Sequence, residues 1–207
     1  MADCDNALNV VVLDFETTGL SPSYGDRAIE IGAVKLKNGE IIETFQELMN
    51  PGFPVNNFIA QYTGITNSML KKARRCNEVM KSFAEFLGDS NFVAHNASFD
   101  ERFLRSEFEM ISRYSIPDYT CSMLCARRIY PDAPSHKLSS LVSYKSIREE
   151  DSYHRALQDS IMTSRLWTTM INDIREKYNT GIISFSMMKK LSRMSKKNMD
   201  SFFRIHP

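Results

Sequence analysis

The stretch that decides the fold is Val10-Val11-Val12-Leu13-Asp14-Phe15-Glu16-Thr17-Thr18-Gly19. It opens with four apolar, mostly β-branched residues, which is typical of a strand buried on both faces. Because side chains alternate along a strand, Asp14 and Glu16 point to the same side. Two carboxylates at the end of a buried strand repel each other and are costly without a compensating cation. The alternative is that the strand runs out into solvent and its two acids are simply exposed.

Length and composition bound the class of protein. A chain of 207 residues with 43% apolar residues and 13 Phe suffices for one domain with a sizeable core and a short appendage. The net charge of +1 produces no strong overall field that would indicate a polyanionic partner. Binding to nucleic acid stays open, because charge can be concentrated locally. The four cysteines lack the CxxC spacing of a zinc site. There is no signal-peptide pattern and no apolar run of roughly 18 residues, so we expect a soluble, cytoplasmic protein without a membrane partner.

The strand pattern around the first stretch predicts a meander. Residues 28–36 read as a second strand, Asn38-Gly39 is a hairpin signal, and residues 40–49 return antiparallel. Glu30 lies inside the second strand, where we interpret it as a rim or pairing residue. Two further short strands are predicted later in the chain, at Phe92-Val93-Ala94 and at Tyr119-Thr120-Cys121. Residues 66–87 are helical in pattern, and Thr66 or Asn67 can cap the first helix of this region.

Helical patterns supply two more acids. Ser98 and Glu101 have the spacing of a capping box, which places Asp100 in the first turn of a helix. A negative charge is favoured there by the helix dipole alone, so Asp100 has a purely structural alternative. The longest predicted helix follows His154 and runs to about residue 177, with Asp159 on its inward side. His154 is placed in the loop just ahead of this helix, where a surface role is the alternative.

Four acids therefore stand at the ends of elements, and a strand order that joins these ends would make a pocket of four carboxylates: Asp14, Glu16, Asp100 and Asp159. Hard oxygen ligands suit Mg²⁺ or Mn²⁺ and not zinc. Four carboxylates around two metals about 4 Å apart fit an in-line attack on a phosphodiester. His154 would then be the neutral base that accepts a proton from the attacking water.

Three motifs in this order closely resemble the DEDDh group of 3′–5′ exonucleases, with the DnaQ-like fold of the RNase H-like superfamily. The matching pieces are Asp14-Phe15-Glu16-Thr17-Thr18-Gly19, His95-Asn96-Ala97-Ser98-Phe99-Asp100 and His154-Arg155-Ala156-Leu157-Gln158-Asp159. The resemblance covers roughly residues 8–176 and is nearest to the proofreading (epsilon) subunit of bacterial replicative DNA polymerase and its free-standing relatives. It departs at Tyr62-Thr63-Gly64, where relatives often carry His before the Gly, and that position lies outside the catalytic set.

The resemblance implies an α/β protein with a mixed five-stranded sheet flanked by helices. It implies that the four acids hold two Mg²⁺, with Asp14 bridging them, and that Mn²⁺ substitutes. It further implies that His154 activates the water, which frees a nucleoside 5′-monophosphate from a 3′ end. By the same analogy, the terminal nucleotide is seated by the backbone around Thr17, Thr18 and Gly19, by the side chain of Leu20, and by Asn96 in support.

The C-terminal part changes in composition, so we divide the chain into an exonuclease domain, residues 1–180, and a basic helical extension, residues 181–207. From residue 187 onward there are six basic residues and one acid, on a helical pattern formed by Met187, Leu191 and Met194. The Phe202-Phe203 pair has two interpretations: packing back on the long helix, or docking on a partner such as a sliding clamp. A polymerase is the other candidate partner.

Three functions remain open at this stage. The first is a DNA 3′–5′ exonuclease that acts on single-stranded or frayed ends. The second is an RNA-trimming exonuclease of the same fold, since no side chain that would meet the 2′-OH can be identified. The third is a catalytically silent nucleic-acid-binding module, which is disfavoured because all four acids and the His are present.

Overall fold

A mixed sheet of six strands runs through the molecule, which the computed structural model describes for residues 5–148, 155–195 and 202–203. The strands are β1 (Val11–Thr17), β2 (Ala28–Lys37), β3 (Glu40–Asn50), β4 (Arg74–Arg75), β5 (Phe92–Ala94) and β6 (Tyr119–Cys121). Their order is β4-β3-β2-β1-β5-β6. β2 runs antiparallel to β1 and β3, whereas β5 is parallel to β1 and β6. The α/β class and the mixed sheet are confirmed.

Helices cover both faces of this sheet. They are α1 (Asn57–Thr63), α2 (Asn67–Lys72), α3 (Cys76–Leu87), α4 (Ser98–Glu109), α5 (Ser122–Ile129), α6 (Leu138–Tyr144), α7 (Ala156–Tyr178) and α8 (Phe185–Arg193). β1 therefore contributes to a core on each side: Val12 packs in the cluster that contains α7, and Val11 and Leu13 pack in the cluster that contains α3 and α4. All three side chains are fully buried, which confirms the strand buried on both faces.

The predicted hairpin between β2 and β3 is confirmed. Asn38 and Gly39 both have positive φ, 53° and 84°, which is the conformation of a two-residue type I′ turn. Such a turn matches the twist of the strands that it joins, so β2 and β3 pair along nearly their whole length.

The count of five strands was wrong by one short edge strand. β4 interrupts the region predicted as helical between residues 66 and 87, and pairs in parallel with Met49 and Asn50 at the end of β3. Two residues carry no alternation that a sequence pattern can detect, and only the neighbouring edge of β3 makes them a strand. The cap of the preceding helix was predicted correctly, since the Thr66 hydroxyl accepts a hydrogen bond from Met69 N at 3.3 Å.

The capping box predicted for α4 does not form. Ala97 occupies the N-cap, its side chain makes no capping bond, and Ser98 already lies inside the helix. The chain enters α4 through Asn96, whose φ of 73° is left-handed, and this tight entry moves the helix start one residue earlier than predicted. Glu101 instead accepts hydrogen bonds from Arg105 one turn later, at 2.6 and 2.9 Å.

Two similar ion pairs fasten helices to β2. At its start, Glu107 of α4 accepts two hydrogen bonds from the Arg27 guanidinium at 2.8 Å and one from Ala28 N at 3.2 Å. Further along the strand, Glu30 accepts from the Arg155 guanidinium and from the N–H of Ala156, the first residue of α7. In each case a buried glutamate binds the side chain of an arginine and the backbone of the following alanine.

The C-terminal part packs on the same core. Phe185, Met188 and Leu191 of α8 are buried in the cluster that contains Trp167 of α7. Phe203 is 1% exposed and its ring lies 4.9 Å from that of Tyr178, so the packing interpretation of the Phe pair is confirmed and Phe203 offers no docking surface. The domain boundary at residue 180 stays a prediction. Among the described residues, no helix is both long and apolar enough to cross a bilayer.

Candidate active site

Three predicted acids meet where β1 ends and α7 begins. One carboxylate oxygen from each of Asp14, Glu16 and Asp159 lies within 4.8 Å of the others. Asp14 and Glu16 come from alternate positions of β1 and so face the same side of the sheet, as predicted. Asp159 comes from the first turn of α7, which packs on that side. A set of three hard oxygen donors at this spacing is suited to a divalent cation.

Asp100 approaches the same strand end from α4. Its side chain is 2% exposed, and its Oδ1 accepts a hydrogen bond from the backbone N–H of Phe15 at 3.2 Å. Phe15 lies between Asp14 and Glu16 in the chain, so this bond fastens the first turn of α4 to the stretch that carries both acids. A charge that only complemented the helix dipole would have no need of burial, and the dipole explanation of Asp100 is therefore insufficient.

The electrostatics of the site reflect this crowding. Burial, followed by the charges of Asp100, Asp159 and Glu16, raises the pKa of Asp14 well above its ordinary value. Burial and then the charge of Asp159 raise the pKa of Glu16 from 4.5 to about 8. Burial raises the pKa of Asp100 from 3.8 to about 7. Acids that resist ionisation in isolation are the expected partners of a cation that would favour their charged forms.

Gly32 allows α7 to reach the acids. It pairs with Asp14 across β1 and β2, and a Cβ at this position would lie 2.0 Å from Leu157 N and 2.1 Å from the carbonyl carbon of Ala156. The Ser160 hydroxyl donates to Gly32 O at 2.8 Å and holds the helix against the strand. Close contact between the start of α7 and β2 is thus what brings Asp159 beside Asp14. The sequence reasoning did not identify Gly32.

Glu30 is the residue whose importance the sequence reasoning understated. Its side chain is fully buried, and it lies directly opposite Glu16 on the neighbouring strand. The Arg155 Nη2 donates to it at 2.6 Å, and Gln46 Nε2 donates at 3.0 Å. A lone acid in an otherwise apolar strand is the signal that such a partner exists, since buried carboxylates are rarely unpaired. Its interpretation as a pairing residue is confirmed.

The predicted nucleotide-binding residues lie in the loop that follows β1. Thr17 donates its hydroxyl proton to Gly19 O at 2.6 Å, and the Thr18 hydroxyl bonds the Asp26 carboxylate at 3.2 Å. A Cβ on Gly19 would lie 2.3 Å from that same carboxylate, so a larger residue there would displace Asp26 from its bonds to Thr18 and to Ser21 N. The loop presents Leu20 to solvent with 78% of its surface exposed. An exposed leucine on a loop fixed by hydrogen bonds is available to contact a base.

The second motif contributes structure as well as Asp100. Asn96 is exposed at the entry to α4, beside the buried end of β5. His95 Nε2 lies 3.0 Å from His136 O and its Nδ1 lies 2.9 Å from Ser122 Oγ. The carbonyl partner places the ring proton on Nε2, and burial lowers the pKa of His95 to about 4. His95 is therefore a neutral structural residue.

His154 lies outside the described residues, so its predicted role as the base stays a prediction. The residue that follows it, Arg155, is described and is fixed to Glu30. Arg155, the first described residue after His154, is therefore anchored beside Glu30, which pairs with Glu16 on the neighbouring strand.

Comparison with known proteins identifies the family. The model of the RNase T exonuclease family matches residues 11–167, which span all four predicted acids and most of α7. The chain belongs to this exonuclease family. The predicted enzyme class, an exonuclease, is thereby confirmed, and the silent-module alternative finds no support.

The relatives of this chain are much larger proteins, and the chain matches one segment of each. The chain is 40% identical over 168 residues to a PolC-type DNA polymerase III of Bacillus cereus and 37% identical over 166 residues to that of Caldanaerobacter subterraneus. These matches cover 81% and 80% of the chain, but the chain spans only 12% of either relative.

Solved structures of exonucleases share the fold. Exonuclease X in complex with 5′ overhanging duplex DNA superposes with a TM-score of 0.69 and 23% identity, over 88% of this chain and 99% of that one. The nuclease domain of 3′hExo, a DEDDh family member bound to rAMP, gives 0.68 and 22%, over 80% and 92%. The predicted RNase H-like architecture is confirmed by these neighbours.

Proposed function

We propose that this exonuclease removes nucleoside 5′-monophosphates from the 3′ ends of single-stranded or frayed DNA, with two Mg²⁺ held by its four acids. The observation that carries the proposal is the convergence of Asp14, Glu16 and Asp159 within 4.8 Å, with Asp100 bonded to the same strand end. Among the described residues, Asp14, Glu16 and Asp159 are the one group of three histidine, cysteine or acidic side chains close enough together to hold a metal ion.

The donors fit divalent metal. Carboxylate oxygens are the ligands of Mg²⁺ and Mn²⁺, and a bound cation would favour the charged forms of Asp14, Glu16 and Asp100, whose pKa values are raised by burial and, for Asp14 and Glu16, by neighbouring acids. The charge of Arg155 opposes the rise in the pKa of Glu16, but its guanidinium is bound to Glu30. When bound, the metal ions would neutralise the carboxylates and the phosphate and polarise the scissile bond.

The protein's own groups then have distinct tasks. Asp14, whose charge interacts with those of Asp100, Asp159 and Glu16, would hold metal together with them, and the family resemblance implies that it would be a ligand of both ions. The loop of Thr17, Thr18 and Gly19 seats the terminal nucleotide, and Leu20 contacts its base. His154 accepts the proton of the attacking water, for which the ordinary pKa of imidazole is well suited near pH 7.

The preference for DNA rests on the relatives. The relatives described above are DNA polymerases, and a match of 40% supports a shared substrate more strongly than a fold shared at 23%. One structural neighbour carries an adenosine ribonucleotide, so RNA trimming is the competing possibility that the experiment must include. Because the relatives extend far beyond the matched segment, association with a polymerase is a further proposal.

The test uses purified protein and three 5′-labelled substrates of equal length: single-stranded DNA, duplex DNA with a mismatched 3′ end, and single-stranded RNA. We expect stepwise shortening of both DNA substrates from the 3′ end with Mg²⁺, release of 5′-monophosphates, and no reaction after chelation. Asp14→Ala should abolish hydrolysis because the shared ligand is lost.

Two further results would decide the finer claims. His154→Ala should lower turnover by about 10²–10⁴-fold with little change in substrate affinity, the usual contribution of a general base. An equal loss of affinity would make His154 a structural residue. Faster shortening of RNA than of both DNA substrates would reject the proposed preference for DNA.

A further inference from the structure

A basic segment forms the outer edge of the sheet. Lys71-Lys72-Ala73-Arg74-Arg75, hereafter the basic edge segment, covers the end of α2 and all of β4. Its four charged side chains are all exposed. Within the described part of the chain, Lys71, Lys72 and Arg75 have no ion-pair partner, so their charges are free to meet an anion from outside.

Arg74 is the exception in this segment. Its Nη1 lies 3.7 Å from Glu47, and its Nη2 donates to Glu78 O and to the Ser82 hydroxyl at 3.2 and 3.1 Å. These bonds fix the segment against β3 and α3. The free charges are therefore carried on a backbone that is held in place on both sides.

The strand register gives the distance from this segment to the acid cluster. Glu16 lies opposite Glu30, Glu30 lies opposite Leu48, and Met49 lies opposite Arg74. Adjacent strands are about 4.8 Å apart, so these three steps place the backbone of β4 about 14 Å from that of Glu16 along one end of the sheet.

Two open cavities flank the segment at this end of the sheet. One, of about 430 Å³, is lined by Lys72 and Arg74 together with Glu30 and Arg155, the ion pair beside the acid cluster. The other, of about 990 Å³, is lined by Lys71 and Arg75. Basic side chains thus continue from the edge of the acid cluster outward along the sheet, with open space in front of them.

We propose that the basic edge segment binds backbone phosphates of the strand that carries the 3′ end, a few nucleotides away from the cleaved bond. The proposal rests on the function proposed above. For a strand that keeps the stacked, B-form rise of about 3.4 Å per nucleotide, 14 Å corresponds to about four nucleotides. Exposed amines contact phosphates without reading sequence, so the segment would increase affinity for long substrates and leave base preference unchanged.

The deciding variant is Lys71→Gln/Lys72→Gln, which removes two charges and leaves Arg74 and its structural bonds in place. The matched control is Lys37→Gln/Lys81→Gln, two equally exposed lysines, at the far end of β2 and on α3. Binding is measured by fluorescence anisotropy on a 20-nucleotide single strand and on a trinucleotide, from 50 to 200 mM KCl, with hydrolysis blocked by Asp14→Asn in every protein.

We expect the segment variant to bind the 20-mer about 10-fold more weakly at 100 mM KCl, and the slope of log K against log salt to fall by about 1.4, the value for two lost contacts on a single strand. The trinucleotide should bind all proteins equally, since it does not reach the segment. The control variant should match the parent on both ligands.

Two results would overturn the proposal: an unchanged salt slope in the segment variant, or an equal loss of affinity in the control. These results are separable from failure of the proposed function. That failure would appear as absence of Mg²⁺-dependent hydrolysis of the 20-mer by the protein with its natural residues at all these positions.

Discussion

Replacing Arg155 by Met should destabilise the protein strongly, because it leaves a buried charge without its partner. Glu30 is fully buried, whereas the side chain of Arg155 is 37% exposed and keeps some contact with water. The substitution removes the charge and all three guanidinium hydrogen bonds, at 2.6, 3.1 and 3.1 Å. Glu30 would retain only its bonds from Gln46 and from Ala156 N.

The magnitude follows from that inventory. Removal of one partner of a buried ion pair costs about 3–5 kcal/mol. The two remaining bonds and the partial access of water place the expected loss near the lower end, at about 3 kcal/mol. For a chain of this size, that loss corresponds to a fall in Tm of roughly 6–12 °C. The double variant Glu30→Gln/Arg155→Met should lose only about 1 kcal/mol, because no unpaired charge stays buried.

Urea denaturation at pH 8 without metal measures these differences. The matched control is Arg27→Met, which breaks the similar pair with Glu107 just before the start of β2. It should destabilise comparably, yet retain more activity under conditions where both variants are folded, since only Arg155 adjoins the helix turn that carries Asp159. The reasoning would be refuted by a double variant as unstable as Arg155→Met, or by a single variant that loses less than about 0.5 kcal/mol.

Three further predictions concern the acid cluster and its supports. Without metal, the free energy of unfolding should fall as the pH rises from about 4 to about 8, because the folded state holds protons on Glu16 and Asp100 that the unfolded state has already released. Asp14→Asn should reduce this fall and raise the metal-free Tm at pH 8, measured by calorimetry, by a few degrees. A lower Tm would contradict the mutual repulsion of the acids. Gly32→Ala should abolish activity and lower the urea midpoint markedly, since its Cβ would meet the backbone of α7 at 2.0 Å; a folded, active variant would show that α7 can shift at no cost. Phe203→Ala should lower the free energy of unfolding by about 3–5 kcal/mol, because it removes a buried aromatic side chain, and it should leave affinity for a purified sliding clamp unchanged. A selective loss of clamp binding at unchanged stability would support the docking interpretation instead.

The sequence determined the elements whose signals are local. The apolar run before Asp14 fixed a doubly buried strand, Asn38-Gly39 fixed a hairpin by its positive φ angles, and Thr66 fixed a helix start. Three motifs in order were enough to indicate the family, and that resemblance implied that their acids share one site. Periodicity indicates which face of an element is buried, and turn and cap residues indicate where elements begin and end, so these features can be predicted without knowledge of tertiary contacts.

Only the tertiary structure decided the contacts between elements that are distant in the chain. Gly32 matters because α7, more than a hundred residues later, crosses it too closely for any Cβ. Arg74–Arg75 becomes a strand because the end of β3 offers a free edge, and Ser98 fails to cap α4 because the chain turns through Asn96 one residue earlier. Glu30 could be read as a paired acid, but its partner is 125 residues away. Such features depend on backbone approach and on the pairing of buried charges, which are properties of the assembled sheet and helices and leave no periodic trace in the sequence.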